Sequence, residues 1–209
     1  MPHTLPELET FTDTLRPATL PIARVRSGDR LFRVMAKRHS DPLGTGVGSS
    51  RFSDPRSGLL SGGLFTTLYA ARDLETAFEE VILRDTSNDA LPPHALARTT
   101  LESHHVAILR TVRPLTLVDL RTSPGMRSIG APTDVTGDSA HDLSQRWAYA
   151  FHRHPSTPDG ILYLSRFTHR PNVAVFDRAI RNGLAAGPLR PLLDFDIAPI
   201  LKRLAVVVV

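Results

Sequence analysis

The stretch LYAARDLETAFEEV, residues 68–81, joins an apolar strand directly to an amphipathic helix. Asp73 is a favoured N-cap residue, and the apolar positions after it recur with the i, i+3, i+4, i+7 spacing of one helix face. That face comprises Leu74, Ala77, Phe78, Val81 and Ile82. Glu79 and Glu80 lie on opposite flanks of the face, so the helical wheel does not choose between them. Either glutamate could point into a cleft, although two adjacent glutamates are also common on a solvated helix surface.

Upstream lies a loop-rich segment, residues 37–63, which includes the sequence GVGSSRFSDP at residues 46–55. Loops of this length inside a compact domain are usually functional or mobile. Glycine lets the backbone approach a ligand, while backbone N–H groups and serine hydroxyls add donors. We therefore expect Arg51 to bind a small anion, the alternative being a pairing with a surface carboxylate. Tyr69 ends the next predicted strand, where it can stack on a flat ring or be half-buried in the core.

The chain contains more predicted strands than helices, and the two do not alternate regularly. The predicted strands span 31–35, 64–71, 105–112, 115–120, 161–165, 173–176 and the terminal LAVVVV at 204–209. Besides the helix after Asp73, predicted helices span about 7–15, 142–153 and 192–204, and residues 86–99 and 121–141 are expected to be connections. This pattern predicts an α+β fold with a mixed or largely antiparallel sheet. We expect residues 1–29 to form an extended N-terminal arm and residues 30–209 to form a single domain.

The composition is typical of a soluble globular protein, with 41% hydrophobic and 22% charged residues. The chain has no cysteine, which excludes disulfides, thiol catalysis and thiolate zinc sites and favours a reducing, cytoplasmic location. Its net charge of +4 is scattered without a basic stripe, which argues against direct nucleic-acid binding. No apolar run approaches the ~20 residues that cross a bilayer, so no membrane association is expected. The sequence has no metal-ligand motif, P-loop or GxGxxG, so we expect no metal.

Six segments of the chain, in their order, resemble the RES domain, a family named after an arginine, a glutamate and a serine. They are LFRV, GSSRFSDP, LYAARDLETAFEEV, LTLVDL, QRWAYAFHRHPSTPDGILYLSR and NVAVF, within residues 30–178. The residues that match the family's motif are Arg33, Arg51, Tyr69, Glu80 and Ser165. Glu80 matches rather than Glu79, because it directly precedes the hydrophobic continuation. The resemblance implies an ADP-ribosyltransferase-like split β-sheet around a central cleft with flanking helices.

The same resemblance implies that NAD is the substrate and that the nicotinamide–ribose bond is cleaved by phosphorolysis or hydrolysis, with inorganic phosphate as a candidate co-substrate. Arg33 and Arg51 would hold phosphate oxygens through charge-assisted bonds. Tyr69 would stack on the nicotinamide or ribose, and Ser165 would orient the ribose or the amide. Glu80 would stabilise the oxocarbenium-like charge that develops on the ribose. Many members of the family are toxins that an antitoxin with an Xre-type helix-turn-helix neutralises, so such a partner is expected.

Three alternatives remain open on the sequence. Within the fold, the protein could transfer ADP-ribose to another protein. It could instead be an endoribonuclease toxin that uses Glu80, His152 and an arginine. It could also be a non-catalytic module that binds a partner through the N-terminal arm and the terminal strand. The sequence leaves open whether the chain forms a homo-oligomer.

Overall fold

A computed structural model of the chain describes residues 4–46, 49–60, 62–84, 92–137 and 141–209. Its strands are β1 Ile22–Val25, β2 Arg30–Ala36, β3 Thr67–Ala71, β4 His94–Leu96, β5 His104–Thr111, β6 Leu115–Asp119, β7 Gly160–Leu164, β8 Pro171–Phe176, β9 Leu184–Ala186, β10 Arg190–Pro191 and β11 Val206–Val208. Its α-helices are α1 Leu5–Leu15, α2 Leu74–Phe78, α3 Arg98–Glu102, α4 Ser123–Ser128, α5 Asp134–Gly137, α6 Asp142–Arg153, α7 Asp177–Gly183 and α8 Ala198–Arg203. A π-helical turn, Glu79–Leu83, continues α2, and 3₁₀ turns span Pro55–Gly58 and Leu192–Asp194.

Nine of the strands form one sheet in the order β1-β6-β7-β8-β3-β2-β5-β10, with β9 also paired to β5. All neighbours in this sheet are antiparallel except β6 and β7. The pairing between β2 and β3 consists of one position, Phe32 with Ala71, whereas β2 pairs with β5 from Arg30 to Ala36. The sheet is therefore split between β2 and β3. The predicted α+β fold with a split, largely antiparallel sheet is confirmed.

Three clusters of buried apolar side chains cover the sheet. The first joins α1 and α6 to one face, where Phe11 packs edge-on against Trp147 with ring centroids 4.9 Å apart. The second lies on the other face beneath α7, and the third packs α2 and α8 against β2 and β5. Burial on both faces explains why β7 and β8 are nearly continuous apolar runs in the sequence.

The N-terminal segment contains the predicted helix but is not the extended arm that was expected. Its helix α1 begins with a capping box between Thr4 and Glu7 and buries Leu8 and Leu15. The following strand β1 pairs with β6 along its whole length. The described part of residues 1–29 therefore packs onto the rest of the protein.

Other differences concern short elements that the pattern did not resolve. The predicted connection 121–141 contains α4 and α5, and α7 was not predicted. The predicted helix at 192–204 is a 3₁₀ turn followed by α8. The expected connection 86–99 contains β4, which pairs in parallel with the predicted C-terminal strand β11; residues 86–91 and 138–140 lie outside the described residues. No helix in the described ranges is both long enough and apolar enough to cross a bilayer.

Candidate functional site

A cavity of about 550 Å³ lies where the sheet splits between β2 and β3. Four predicted site residues line it, each from a different element. Arg33 comes from β2, Arg51 from the loop before β3, Tyr69 from β3 itself and Glu80 from the turn after α2. Because β2 and β3 pair at one position only, space remains between them for side chains that a fully paired sheet would bring into contact. Residues distant in sequence therefore share one cavity, as the motif order predicted.

Only one of the two adjacent glutamates reaches the cavity, although both belong to the π-helical turn after α2. Val81, expected in the core, is 41% exposed and lines the cavity, whereas Glu79 is 8% exposed and does not line it. Burial, with a contribution from the neighbouring carboxylates Glu75 and Glu80, raises the pKa of Glu79. Glu80 is half-buried and forms part of the cavity wall.

The segment that carries Arg51 is attached to β3 by side-chain hydrogen bonds. The Tyr69 hydroxyl accepts the Phe52 N–H at 2.7 Å and lies 3.0 Å from the Ser50 hydroxyl, while the Thr67 hydroxyl donates to the Phe52 carbonyl at 2.9 Å. Phe52 itself is fully buried. Tyr69 therefore shapes the loop beneath Arg51 as well as lining the cavity, a role that the sequence did not suggest.

The two predicted phosphate-binding arginines donate to main-chain carbonyls. The Arg51 guanidinium donates to the carbonyl of Thr136, and that of Arg33 donates to the carbonyl of Pro42 at 2.9 Å. Neither forms an ion pair within the described part of the chain. Within the described residues, Arg51 therefore does not form the ion pair with a surface carboxylate that was the alternative prediction. Burial lowers the pKa of Arg33, and the charge of Asp41 opposes that shift.

The cavity is positively charged. Its described lining includes the guanidinium groups of Arg33, Arg51, Arg84 and Arg166. Glu80 is the single carboxylate among the described lining residues. A concave site with this balance favours a ligand with several negative charges and one local positive charge.

Ser165 occupies a different place from the one predicted. It is 0% exposed and is absent from the cavity wall, and its hydroxyl oxygen accepts the N–H groups of Phe167 at 3.2 Å and Thr168 at 3.4 Å. The serine thus stabilises the turn after β7, because its side chain folds back onto the backbone. That turn carries Arg166 and Phe167 into the cavity wall.

Several residues that line the cavity were not predicted from the sequence. Tyr163 and Asn172 face each other across β7 and β8, and the Asn172 amide donates to the Tyr163 hydroxyl at 3.3 Å. Their signal in the sequence was a polar group inside one apolar strand run, Tyr163, and another directly before the next, Asn172. Arg84, His141 and Arg166 also line the cavity. They stand at element ends or in loops, where local sequence carries no information about direction.

His152 lies outside the cavity. Its ring stacks on Phe65 with centroids 4.4 Å apart, and its Nε2 is 3.1 Å from a carboxylate oxygen of Asp177. The described cavity wall therefore lacks the Glu80–His152 pair on which the endoribonuclease alternative depended. Nor do the described residues contain a cluster of histidine and acidic side chains that could hold a metal ion.

All three tyrosines of the chain are expected to resist ionisation in the folded protein. Burial raises the pKa of Tyr69 and of Tyr149 to about 12 and that of Tyr163 well above its usual value. The unfolded chain loses these protons near pH 10.0, so the contribution of the tyrosines to stability is constant below that pH and falls as the pH rises towards about 12. Ultraviolet absorbance of tyrosinate checks this. Full tyrosinate absorbance of the folded protein near pH 10 would contradict it.

Comparison with known proteins identifies the family. The model of the RES domain family matches residues 22–197. The chain belongs to the RES domain family. The match begins at β1 and leaves α1 outside it.

Two similar proteins extend this comparison. A protein of Sinorhizobium fredii (strain NBRC 101917 / NGR234) described as "Probable toxin y4kH" is 40% identical over 99 residues, which are 46% of this chain and 76% of that protein. A chain of the crystal structure of the M. tuberculosis MbcT–MbcA toxin–antitoxin complex has a TM-score of 0.63 at 17% identity, over 93% of this RES protein and 95% of that chain. At this identity the likeness concerns the fold, and it agrees with the α+β split-sheet architecture.

Proposed function

We propose that this RES protein consumes NAD by breaking the bond between nicotinamide and ribose, and that it acts as the toxin of a toxin–antitoxin pair. The supporting observation is that Arg51 and Glu80, from distant segments, line one cavity at the split in the sheet. The cavity, at about 550 Å³, is within the roughly 300–1,000 Å³ of sites that bind cofactor-sized ligands.

The charges of NAD match those of the cavity wall. Arg33 and Arg51 bind the diphosphate through charge-assisted hydrogen bonds, which are about twice as strong as neutral ones. The Tyr69 ring flanks the nicotinamide or the adjoining ribose. Glu80 faces the ribose carbon, where positive charge grows as the bond to nicotinamide lengthens.

The bond to the pyridinium nitrogen breaks with its electron pair, so nicotinamide leaves as a neutral molecule and the ribose carbon becomes oxocarbenium-like. An oxygen of inorganic phosphate or of water then forms the new bond to that carbon. Phosphate produces ADP-ribose 1″-phosphate, whereas water produces ADP-ribose and releases one proton. The four guanidinium groups of the wall favour phosphate as the nucleophile.

The proposed biological role follows from the relatives. The Sinorhizobium relative is described as a probable toxin, and the similar solved structure is of a toxin–antitoxin complex. We therefore propose a cognate antitoxin as the partner, with the Xre-type helix-turn-helix that the family resemblance implies.

Incubation of the purified protein with NAD, with and without phosphate, tests the activity. We expect nicotinamide in both cases and ADP-ribose 1″-phosphate when phosphate is present. Arg51→Ala removes a charge-assisted bond of about 1.5–3 kcal/mol, so kcat/KM should fall by roughly 10- to 100-fold, mainly through KM for NAD. Arg16→Ala is the control, because Arg16 is exposed and pairs with Asp13 at 2.8 Å on α1.

Other products would favour the alternatives. ADP-ribosylated protein in a treated lysate would indicate transfer to a protein side chain. Loss of RNA while NAD stays intact would indicate an endoribonuclease. Intact NAD and RNA together with tight binding of a partner would indicate a non-catalytic module.

A further inference from the structure

The loop that carries Arg51 is held by a buried glutamine of α6 as well as by β3. Gln145 is 7% exposed, although glutamine is usually a surface residue. Its Nε2 lies 2.9 Å from the Ser49 hydroxyl, 2.9 Å from the Ser50 carbonyl and 3.1 Å from the Ser53 hydroxyl. A carbonyl oxygen only accepts, so the NH₂ end of the amide must face the loop.

The loop itself closes around this amide. The Ser53 hydroxyl accepts the Ser50 N–H at 3.0 Å and donates to the Ser50 carbonyl at 2.9 Å. Arg51 therefore stands in a tight turn with two supports, Tyr69 of β3 and Gln145 of α6.

The residue before Gln145 supports the other end of the same arginine. The Ser144 hydroxyl is fully buried and donates to the Val135 carbonyl of α5 at 2.6 Å. The next residue of α5, Thr136, supplies the carbonyl that accepts the Arg51 guanidinium. Successive residues of α6 thus hold the loop that carries Arg51 and the residue next to the acceptor of its side chain.

We propose that Gln145 is a positioning residue, which acts on substrate through Arg51 by holding the segment 49–53 in place, with Ser144 as its accessory. The proposal rests on the proposed function in that Arg51 is taken to bind the anionic part of the substrate. A misplacement of about 1 Å can cost on the order of 100-fold in rate, so a support for one guanidinium is enough to matter.

The test is a double-mutant cycle with Gln145→Leu and Arg51→Ala. Leucine has a similar length but donates no hydrogen bond, so kcat/KM for NAD should fall by about 10- to 100-fold, chiefly through KM. If Gln145 acts through Arg51, its loss should add no more than about twofold once Arg51 is absent. Hydrogen exchange of residues 49–53 should rise in Gln145→Leu.

Tyr149→Phe is the matched control. Tyr149 lies on the same helix, and its hydroxyl donates to Glu9 of α1 at 2.5 Å, so the variant also loses one partly buried hydrogen bond. It should keep wild-type exchange at residues 49–53 and wild-type KM. If Gln145→Leu does not fold, the double substitution Ser49→Ala with Ser53→Ala removes two of the three acceptors from the loop side and should give the same result.

Binding of inorganic pyrophosphate, measured by calorimetry on the same variants, separates this inference from the proposed function. A wild-type protein that binds pyrophosphate but leaves NAD intact would refute the proposed function. The double-mutant cycle, measured as pyrophosphate affinity, would then decide the role of Gln145. If Gln145→Leu lowers that affinity by about tenfold or more, and has no such effect in the Arg51→Ala background, the positioning role is supported. Unchanged affinity, or an equal loss with and without Arg51, would overturn it.

Discussion

Glu80→Gln is expected to lower the rate of NAD cleavage by about 10²–10³-fold while leaving the fold and the affinity for NAD nearly unchanged. Glu80 is the single carboxylate among the described residues of the cavity wall. Its negative charge stabilises the positive charge that develops on the ribose. Glutamine has the same size as glutamate but carries no charge, so kcat should fall while KM stays nearly unchanged. Release of nicotinamide measures the rate, and thermal unfolding reports the fold.

Glu79→Gln is the matched control for this substitution. Its side chain is buried beside α2 and does not line the cavity, so kcat should stay within about twofold of wild type. Because burial raises the pKa of Glu79, its charge opposes folding above about pH 4.5, and the variant should be at least as stable as wild type at neutral pH. Equal losses of activity in the two variants would contradict the assignment of Glu80.

Gly160→Ala is expected to lower the free energy of unfolding by about 3 kcal/mol, at the upper end of the range for overpacked cores. A Cβ at this position would lie 2.2 Å from the carbonyl oxygen of Ala174 and 2.9 Å from the Cα of Val175. Both atoms are backbone atoms of β8, so β7 and β8 would have to separate. β7 is a central strand and carries Tyr163 to the cavity, so activity should fall as well.

Denaturant unfolding measures this loss, and thermal unfolding should show a midpoint lower by about 6–12 °C. Gly137→Ala is the control, because a Cβ there meets no atom of the described residues within 4 Å and Gly137 ends the helix α5. That variant should be neutral or slightly more stable, since alanine favours helix over glycine. Wild-type stability of Gly160→Ala would show that β7 and β8 are less closely packed than described.

Much of the fold was predictable because local patterns act within single elements. The N-cap at Asp73, whose carboxylate accepts the Thr76 N–H at 2.8 Å, begins α2 where the sequence indicated. The apolar runs of β7 and β8 and the stripe of α6 also became elements with nearly the predicted bounds. Shorter elements such as α4, α5 and β4 were missed, because their few residues show no clear period.

Most residues of the candidate site could be predicted from the sequence, but the contacts that each one makes could not. The order of motifs brought Arg33, Arg51, Tyr69 and Glu80 to one cavity. Ser165 is instead buried in a turn, and Tyr163 and Asn172 line the cavity through a pairing between strands. Local sequence does not predict these differences, since the side chain of a serine at a strand end can face either a ligand or its own backbone.

The chain alone specified which segments form strands and helices, which motif residues belong together and which classes of chemistry are excluded, because spacing and residue type act locally. The helical wheel did not choose between Glu79 and Glu80, a choice that only the family resemblance made, and nothing in the sequence indicated that Gln145 holds the loop of Arg51. The cavity that Glu80 lines and the hold on the loop depend on the split between β2 and β3 and on α6 packing beside residues 49–53. Each arises from contacts between segments far apart in sequence, and such contacts exist only after the chain has folded.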